Sequence, residues 1–357
     1  MSKKSTPREP KAAAPSNTRS RPVTLRTVAN EAGVSVMTVS NVINGKHGMM
    51  SAETRRHVEE TVSRLRYRPD SGARGLRLSQ RFSIGILIID PSPAFIADPF
   101  TTNLVAGLSN HLNARGYGLL VQGASLDTLS DSALLNNLRT DGLCLMPSGP
   151  RKRRLDLYRH SAELGQPVLI FQEEAPAFLS DAASVRQDDR GGAMLLMERL
   201  LARGHRDFWF VSTDQNWPAL EQREKGIRDA LRKTSGTRLE RIAYSDGTFA
   251  GIQERFGVAV ATHGLPEAVL CANDQTAIAV MKWLAAAGVK VPSKVAVTGF
   301  NGFEFRQYAS PTLTSVHSPA YELGQAGGAL MLDRLEHGAF PRRDTLHPLE
   351  LLPGESA

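Results

Sequence analysis

The sequence predicts a small all-α headpiece of helix-turn-helix type followed by a larger α/β core of two doubly wound parallel-sheet lobes. Three observations predict it. Thr24 to Asn44, TLRTVANEAGVSVMTVSNVIN, has the apolar spacing of two short helices around a tight turn. The basic charge is confined to the same quarter of the chain: residues 1–81 hold 16 Lys and Arg against six Asp and Glu, whereas residues 82–357 hold 27 against 30. From residue 82 onward, short apolar runs alternate with helical patterns over about 270 residues, a length large for one such sheet and comfortable for two.

The headpiece follows element by element. Leu25, Val28, Ala29 and Ala32 recur at helical spacing and give the first helix one apolar face. Gly33 supplies the positive φ of a sharp turn. Ser35 is an N-cap for the second helix, whose inner face is Val39, Val42 and Ile43. Val36, Met37, Thr38, Ser40 and Asn41 are left to point elsewhere, and a helix with small polar and apolar residues at its start can enter a DNA major groove. An ordinary αα-corner has the same spacing. Ser51 starts a third helix with Val58, Val62 and Leu65 on one face and Glu53 near its positive end. Pro69 ends the unit. Asp70-Ser-Gly-Ala-Arg-Gly-Leu-Arg-Leu is a linker, or a helix that forms only against a partner. Lys and Arg concentrated here can neutralise phosphates and release counterions, which favours a nucleic-acid partner over a merely solvated face.

Thr24 to Leu76 resembles the headpiece and hinge of the lactose-repressor (LacI/GalR) family of transcriptional regulators. The strings that carry the resemblance are VTLRTVANEAGVS, TVSNVIN, SAETRRHV, LRYRPD and ARGLR, and it continues through Pro353. It implies a sequence-specific DNA-binding regulator, a repressor, that reads a near-palindromic duplex as a homodimer. It implies operator contacts by Thr24, Ser35, Val36, Met37, Thr38, Ser40, Asn41, Asn44, Arg55, Tyr67, Ala73 and Leu76. Val36 and Met37 fall where the family reads base edges, and Leu76 where a hinge leucine wedges into the operator centre and kinks it. Asn41 departs from the arginine of many members. Asn can bridge adenine N6 and N7, whereas Arg prefers guanine.

In the core, apolar runs at Ile84–Ile89, Tyr117–Val121, Leu143–Met146, Val168–Phe171, Phe208–Val211, Ala268–Cys271 and Val295–Val297 read as buried strands. Helical patterns lie between them, among them Leu104–Ala114, Ala193–Leu201 and Thr276–Leu284. The expected organisation is a disordered basic tail at 1–22, the headpiece at 23–68, a hinge helix or linker at 69–81 and a core at 82–353. Resemblance to periplasmic-binding-protein-type cores implies that the chain crosses back. Lobe one then takes about 82–186 and 317–345, and lobe two about 187–315 and 346–353.

Two lobes leave a cleft at the carboxyl ends of their strands, where α/β sheets bind small ligands. Gln172, Asn273-Asp274-Gln275 and Asn301 stand at such ends, and Arg223 lies beyond the Phe208 strand. Asn273 and Asp274 have a second use as caps of the helix near Gln275. The resemblance implies effector contacts by Asp98, Phe100, Gln172, Arg223, Phe249, Asn273 and Asn301, with Phe95 a further wall. For the aromatics, core packing is the competing reading. Gln172 and Asn301 replace the aspartates of sugar-binding members, and Arg223 is retained. Both features add an anionic sugar acid to neutral sugars as the expected effector.

Enzyme motifs are missing: no G-x-G-x-x-G after a strand, no G-x-x-x-x-G-K-[ST], no G-x-S-x-G and no H-E-x-x-H. Cys144 and Cys271 sit in apolar strand runs as small hydrophobes and suggest neither a disulfide nor a zinc site. No catalytic residue, cofactor or metal is expected. Met1 to Arg21 lacks an apolar h-region, and no apolar run reaches the ~18 residues of a spanning helix, so the expected location is cytoplasmic, away from membranes. Two alternatives stay open. One is a DNA-binding regulator or architectural protein with no effector; the other is a solute-binding protein, which would need an export signal.

Overall fold

The computed structural model describes residues 23–46, 48, 50–67, 80–137 and 140–357. The tail at 1–22, and Ala73 and Leu76 of the expected hinge, lie outside the described residues. The chain divides into two compact units, 1–79 and 80–357.

Among the described residues three helices build the first unit: α1 (Leu25–Glu31), α2 (Val36–Ile43) and α3 (Ala52–Arg64). Each starts on a hydroxyl cap. Thr24, Ser35 and Ser51 accept the backbone N–H of Thr27, Thr38 and Thr54, a bond that contributes about 1 kcal/mol per helix. Gly33 turns the chain between α1 and α2 at φ +61°, where a side chain would be strained. Val28, Ala29, Val39, Val42 and Val58 close a small core. Tyr67, expected at the DNA, has its ring in this core at 8% exposure. Its ring packs the end of the headpiece, so its bulk serves the fold.

The first lobe begins with β1 (Ser83–Ile89), α4 (Pro99–Asn113), β2 (Gly118–Ala124), β3 (Gly142–Met146), α5 (Arg151–Glu163), β4 (Val168–Phe171) and β5 (Ala182–Gln187). The second takes α6 (Asp189–Ala202), β6 (Asp207–Thr213), α7 (Pro218–Leu231), β7 (Arg238–Tyr244), α8 (Phe249–His263) and β8 (Ala268–Cys271). It continues through α9 (Asp274–Ala286), β9 (Ala296–Thr298) and β10 (Ser315–His317). The chain then returns to the first lobe with α10 (Ala320–His337) and β11 (Asp344–His347), and ends in the second with β12 (Glu350–Leu352).

The first sheet has the order β11-β5-β4-β3-β1-β2, with every pairing parallel. The second is β7-β6-β8-β9, also parallel, and β10 pairs antiparallel with β12. Apolar clusters cover both faces of each sheet, which is why the strands read as near-continuous hydrophobic runs. Helices α4 and α10 approach so closely that a Cβ on Gly324 would lie 2.0 Å from the carbonyl oxygen of Leu104. Only glycine permits that crossing. Among the described residues no helix is long and apolar enough to cross a membrane.

The carboxyl-terminal path differs from expectation. A single last strand from Leu346 in the second lobe becomes two strands. Thr345 and Leu346 pair with Val185 and Arg186 at the edge of the first sheet, tied there by the 2.6 Å Arg186–Asp344 ion pair. The crossing comes after His347. Residues beyond Pro353 also belong to the second lobe: Ser356 and Ala357 are fully buried, and Val297 N–H donates to the Ser356 carbonyl at 2.8 Å.

Candidate functional site

On the headpiece, Val39 and Val42 turn inward while Val36 and Met37 stand 43% and 59% exposed on the first turn of α2. Ser35 and Thr38 are bound to each other as cap and partner, 2.9 Å between hydroxyls. Asn44 Nδ2 donates to the Ser40 carbonyl at 2.7 Å. Thr24 is likewise committed to Thr27 in a capping box. These polar residues therefore fix where α1 and α2 begin and where α2 ends. Among the described residues Asn41 makes no side-chain hydrogen bond, so its amide can meet a base edge. Arg55 pairs with Glu59 at 2.7 Å, both half exposed, and such a pair holds a side chain weakly enough to exchange for a phosphate.

Between the lobes, Asp98, Phe100, Gln172, Arg223, Asn273 and Asn301 line one chamber. Phe249 does not join them; it is 49% exposed at the start of α8. Gln172 and Asn301 have φ of +65° and +96°, a region costly for any residue but glycine and found where surroundings over-determine the backbone. Asp98 also caps α4, its Oδ2 accepting the N–H and hydroxyl of Thr101 at 2.9 Å each.

This inner chamber has a volume of about 60 Å³, room for about two waters. It continues outward through Asp90, Asp98, Trp217 and Asn273, which also line a second chamber of about 430 Å³ with Phe95, Tyr244, Asp246 and Gln275. The outer volume is that of a small-molecule site. Asp90 and Trp217 escaped the sequence reading. Asp90 carried the signal, since it ends the first strand just as Gln172 ends the fourth. Burial, and then the neighbouring Asp98 charge, hold the Asp90 carboxyl above its ordinary pKa.

Arg223 was expected to offer its guanidinium to a ligand. Three of its five N–H donors are bound to the protein. Nε donates to Asp189 at 2.8 Å, Nη1 to the Ala272 carbonyl, and Nη2 to Asn301 Oδ1 at 3.4 Å. The guanidinium also lies 3.6 Å over the Phe300 ring. Asp189 is itself buried and receives Gln187 Nε2 at 2.9 Å. The positive charge of Arg223 is thus paired with a buried carboxylate, although the residue still lines the chamber. Asp90 and Asp98, in the same lobe as Gln172, bring two carboxylates to this chamber.

Asn273, not Asp274, caps α9: its Oδ1 accepts the Thr276 N–H at 2.8 Å. Asp274 turns inward, accepting the Ser315 hydroxyl at 2.6 Å and the Phe303 N–H at 3.0 Å, and so pins the loop that carries Asn301. Burial raises its pKa from 3.8 to about 6, despite these bonds. A raised folded pKa favours the protonated fold, so this contribution is full below pH 3.8 and is lost as pH rises through about 6. His111, His205 and His347, all held below their ordinary pKa first by burial, act in the opposite sense near neutrality. The expected result is therefore a difference: between pH 7 and 4, wild type gains on the order of 2–3 kcal/mol relative to Asp274→Asn. Urea unfolding at each pH measures it, and parallel curves would contradict it.

Comparisons with known proteins agree with both units. Residues 24–70 match the family model of bacterial regulatory proteins of the lacI family, and 197–357 that of a periplasmic binding protein-like domain. Catabolite control protein A of Staphylococcus aureus is 28% identical over 312 residues, 87% of this chain and 91% of that protein. The HTH-type transcriptional repressor PurR of Photobacterium profundum is 27% identical over 325 residues, 90% and 94% of the two chains. Among solved structures, a Lac repressor dimer bound to operator and the anti-inducer ONPF superposes with TM-score 0.81 at 24% identity, covering 94% of this chain and 99% of that one. A complex of the transcriptional regulator CelR with cellobiose gives 0.65 at 25% identity, with the same coverage.

Proposed function

We propose, from the premise that this chain belongs to the lacI family of bacterial regulatory proteins, that it is a DNA-binding transcriptional repressor governed by a neutral, polyhydroxylated effector. The effector sits between the lobes. As a homodimer in the cytoplasm, two copies of α2 read the halves of a near-palindromic operator, because one short helix meets too few bases for a unique address. Regulation is by binding alone and involves no catalytic step. Ligand changes operator affinity only by its difference in affinity for two lobe arrangements.

The observation that carries the ligand class is the ion pair of Arg223 with buried Asp189. It leaves Asp90, Asp98 and Asp246 as the charged side chains of the outer chamber. Carboxylates accept hydrogen bonds from hydroxyls and repel anions. Trp217 and Phe95 add apolar walls suited to the faces of a sugar ring. That the CelR structure holds cellobiose supports this reading.

A thermal-shift screen of neutral mono- and disaccharides beside their aldonic and uronic acids tests it. A neutral sugar at 100 times its Kd should add about 2.7 kcal/mol of stability, and should shift operator affinity. Stabilisation by the acids alone would overturn the neutral class.

A further inference from the structure

Arg154 stands on the first turn of α5 in the first lobe, yet it is 1% exposed and its guanidinium reaches the second lobe. Nε and Nη2 donate to the two carboxylate oxygens of Glu173, in its own lobe, at 2.9 and 3.0 Å. Nη1 and Nη2 donate to those of Glu221, on α7 of the other lobe, at 3.0 and 3.3 Å. Nη1 also meets the carbonyl of Gly149, in the first lobe, and that of Asn216, in the second, at 3.4 Å. Beside it the Gly149 N–H donates to the same Asn216 carbonyl at 3.0 Å, a backbone bond from lobe to lobe. The Tyr158 hydroxyl donates to Glu173 and completes that side.

We propose that Arg154 is a positioning residue of the ligand cleft, a buried latch that holds the closed lobe arrangement and fixes the segment Asn216–Arg223. That segment carries Trp217, Ala219, Leu220 and Arg223, all of which line the inner chamber, while Arg154 lines neither chamber. The latch grips it at both ends, through the Asn216 carbonyl and the Glu221 carboxylate. A guanidinium presents two parallel N–H bonds to each of two carboxylates and fixes angle as well as distance; an ammonium cannot. Burial opposes the charge, but the bonds to Glu173 and Glu221 outweigh it and keep the group protonated. One cation faces two anions, so Glu173 alone neutralises Arg154 when Glu221 departs. Opening is therefore a discrete step between two satisfied states, the kind of bistable element on which a domain closure can turn. The latch stands on geometry; its consequence for effector binding rests on the reading of the cleft as a ligand site.

The test reads lobe separation directly, without ligand. In the full chain, Glu163→Cys and Lys233→Cys carry spin labels on exposed positions of the two lobes, and labelled protein is diluted with unlabelled protein so that distances within one chain are read. Cys144 and Cys271 are buried and escape labelling. The expected result is one dominant distance in the otherwise unaltered chain. Glu221→Gln should enlarge a longer-distance population at least tenfold, and Arg154→Lys should do the same. Glu173→Gln, which cuts only the bond within the first lobe, should lower thermal stability without lengthening the distance. An unchanged distribution in Glu221→Gln, or equal lengthening in Glu173→Gln, would overturn the latch. Failure of the ligand reading would show separately, as a sugar screen without stabilisation beside distances that still respond.

Discussion

Arg223→Ala is expected to cost the second lobe about 3–5 kcal/mol, because it strands a buried carboxylate. Asp189 is 3% exposed and relies on Arg223 at 2.8 Å and Gln187 at 2.9 Å. Without the guanidinium, Asn301 loses its bond and the Ala272 carbonyl a charged donor. Urea unfolding of the variant beside wild type measures the loss. Replacing both partners, Arg223→Met with Asp189→Leu, should recover part of it, since no unpaired charge then remains. A lost effector response in Arg223→Ala would by itself say little about ligand contact. Arg223→Lys, which keeps the charge on Asp189, is the informative variant for binding. Unchanged stability in Arg223→Ala would mean that water or a rearranged partner satisfies Asp189, and the case for a neutral ligand would fall with it.

The second large effect concerns operator choice. Asn41 and Met37 stand on the outer side of α2, and a bidentate base contact discriminates by about 1–3 kcal/mol. A symmetric dimer loses the contact in both half-sites, so Asn41→Ala should reduce discrimination at the matching operator positions by about 2–6 kcal/mol. Random-sequence DNA should be bound nearly as before. Arg55→Ala should instead weaken specific and random duplexes alike and lower the salt dependence, as a phosphate contact would. Competition binding at two salt concentrations distinguishes these behaviours. Equal loss on both duplexes for Asn41→Ala would remove Asn41 from base reading.

Legibility in the sequence followed the range of the interactions. The headpiece was readable because its caps and apolar spacing are local: Ser35 and Ser51 bond residues three positions on. Strands buried on both faces were readable as apolar runs. Ala182–Gln187 and Arg238–Tyr244 were not, because AASVRQ and RLERIAY mix small and charged residues among the apolar ones. Strand-end logic singled out Gln172, Asn273 and Asn301, the resemblance added Asp98, Phe100 and Arg223, and all six line one chamber. Neither showed which protein groups hold them there. The partner of Arg223 lies 34 residues earlier, at a helix start that reads as an ordinary cap. The exchange of roles between Asn273 and Asp274 depends on Phe303 and Ser315, 29 and 41 residues downstream of Asp274. Tyr67 looked available because nothing in LRYRPD shows that its ring closes a core.

The return of α10 and β11 to the first sheet has a consequence for the order in which the protein can be made. Leu104 and Leu108 on α4 pack against a helix that begins only at Ala320, and the edge strand at Asp344 comes later still. A growing chain that has just finished β5 thus exposes the apolar face that α10 will cover. At ~5–20 residues per second that face stays open for about 7–30 seconds while most of the second lobe is synthesised. The headpiece, complete by Tyr67, has no such wait. During synthesis the first lobe begins early and is closed only by segments made after most of its neighbour. In that interval it should depend most on chaperones, and truncation before His347 should leave it aggregation-prone.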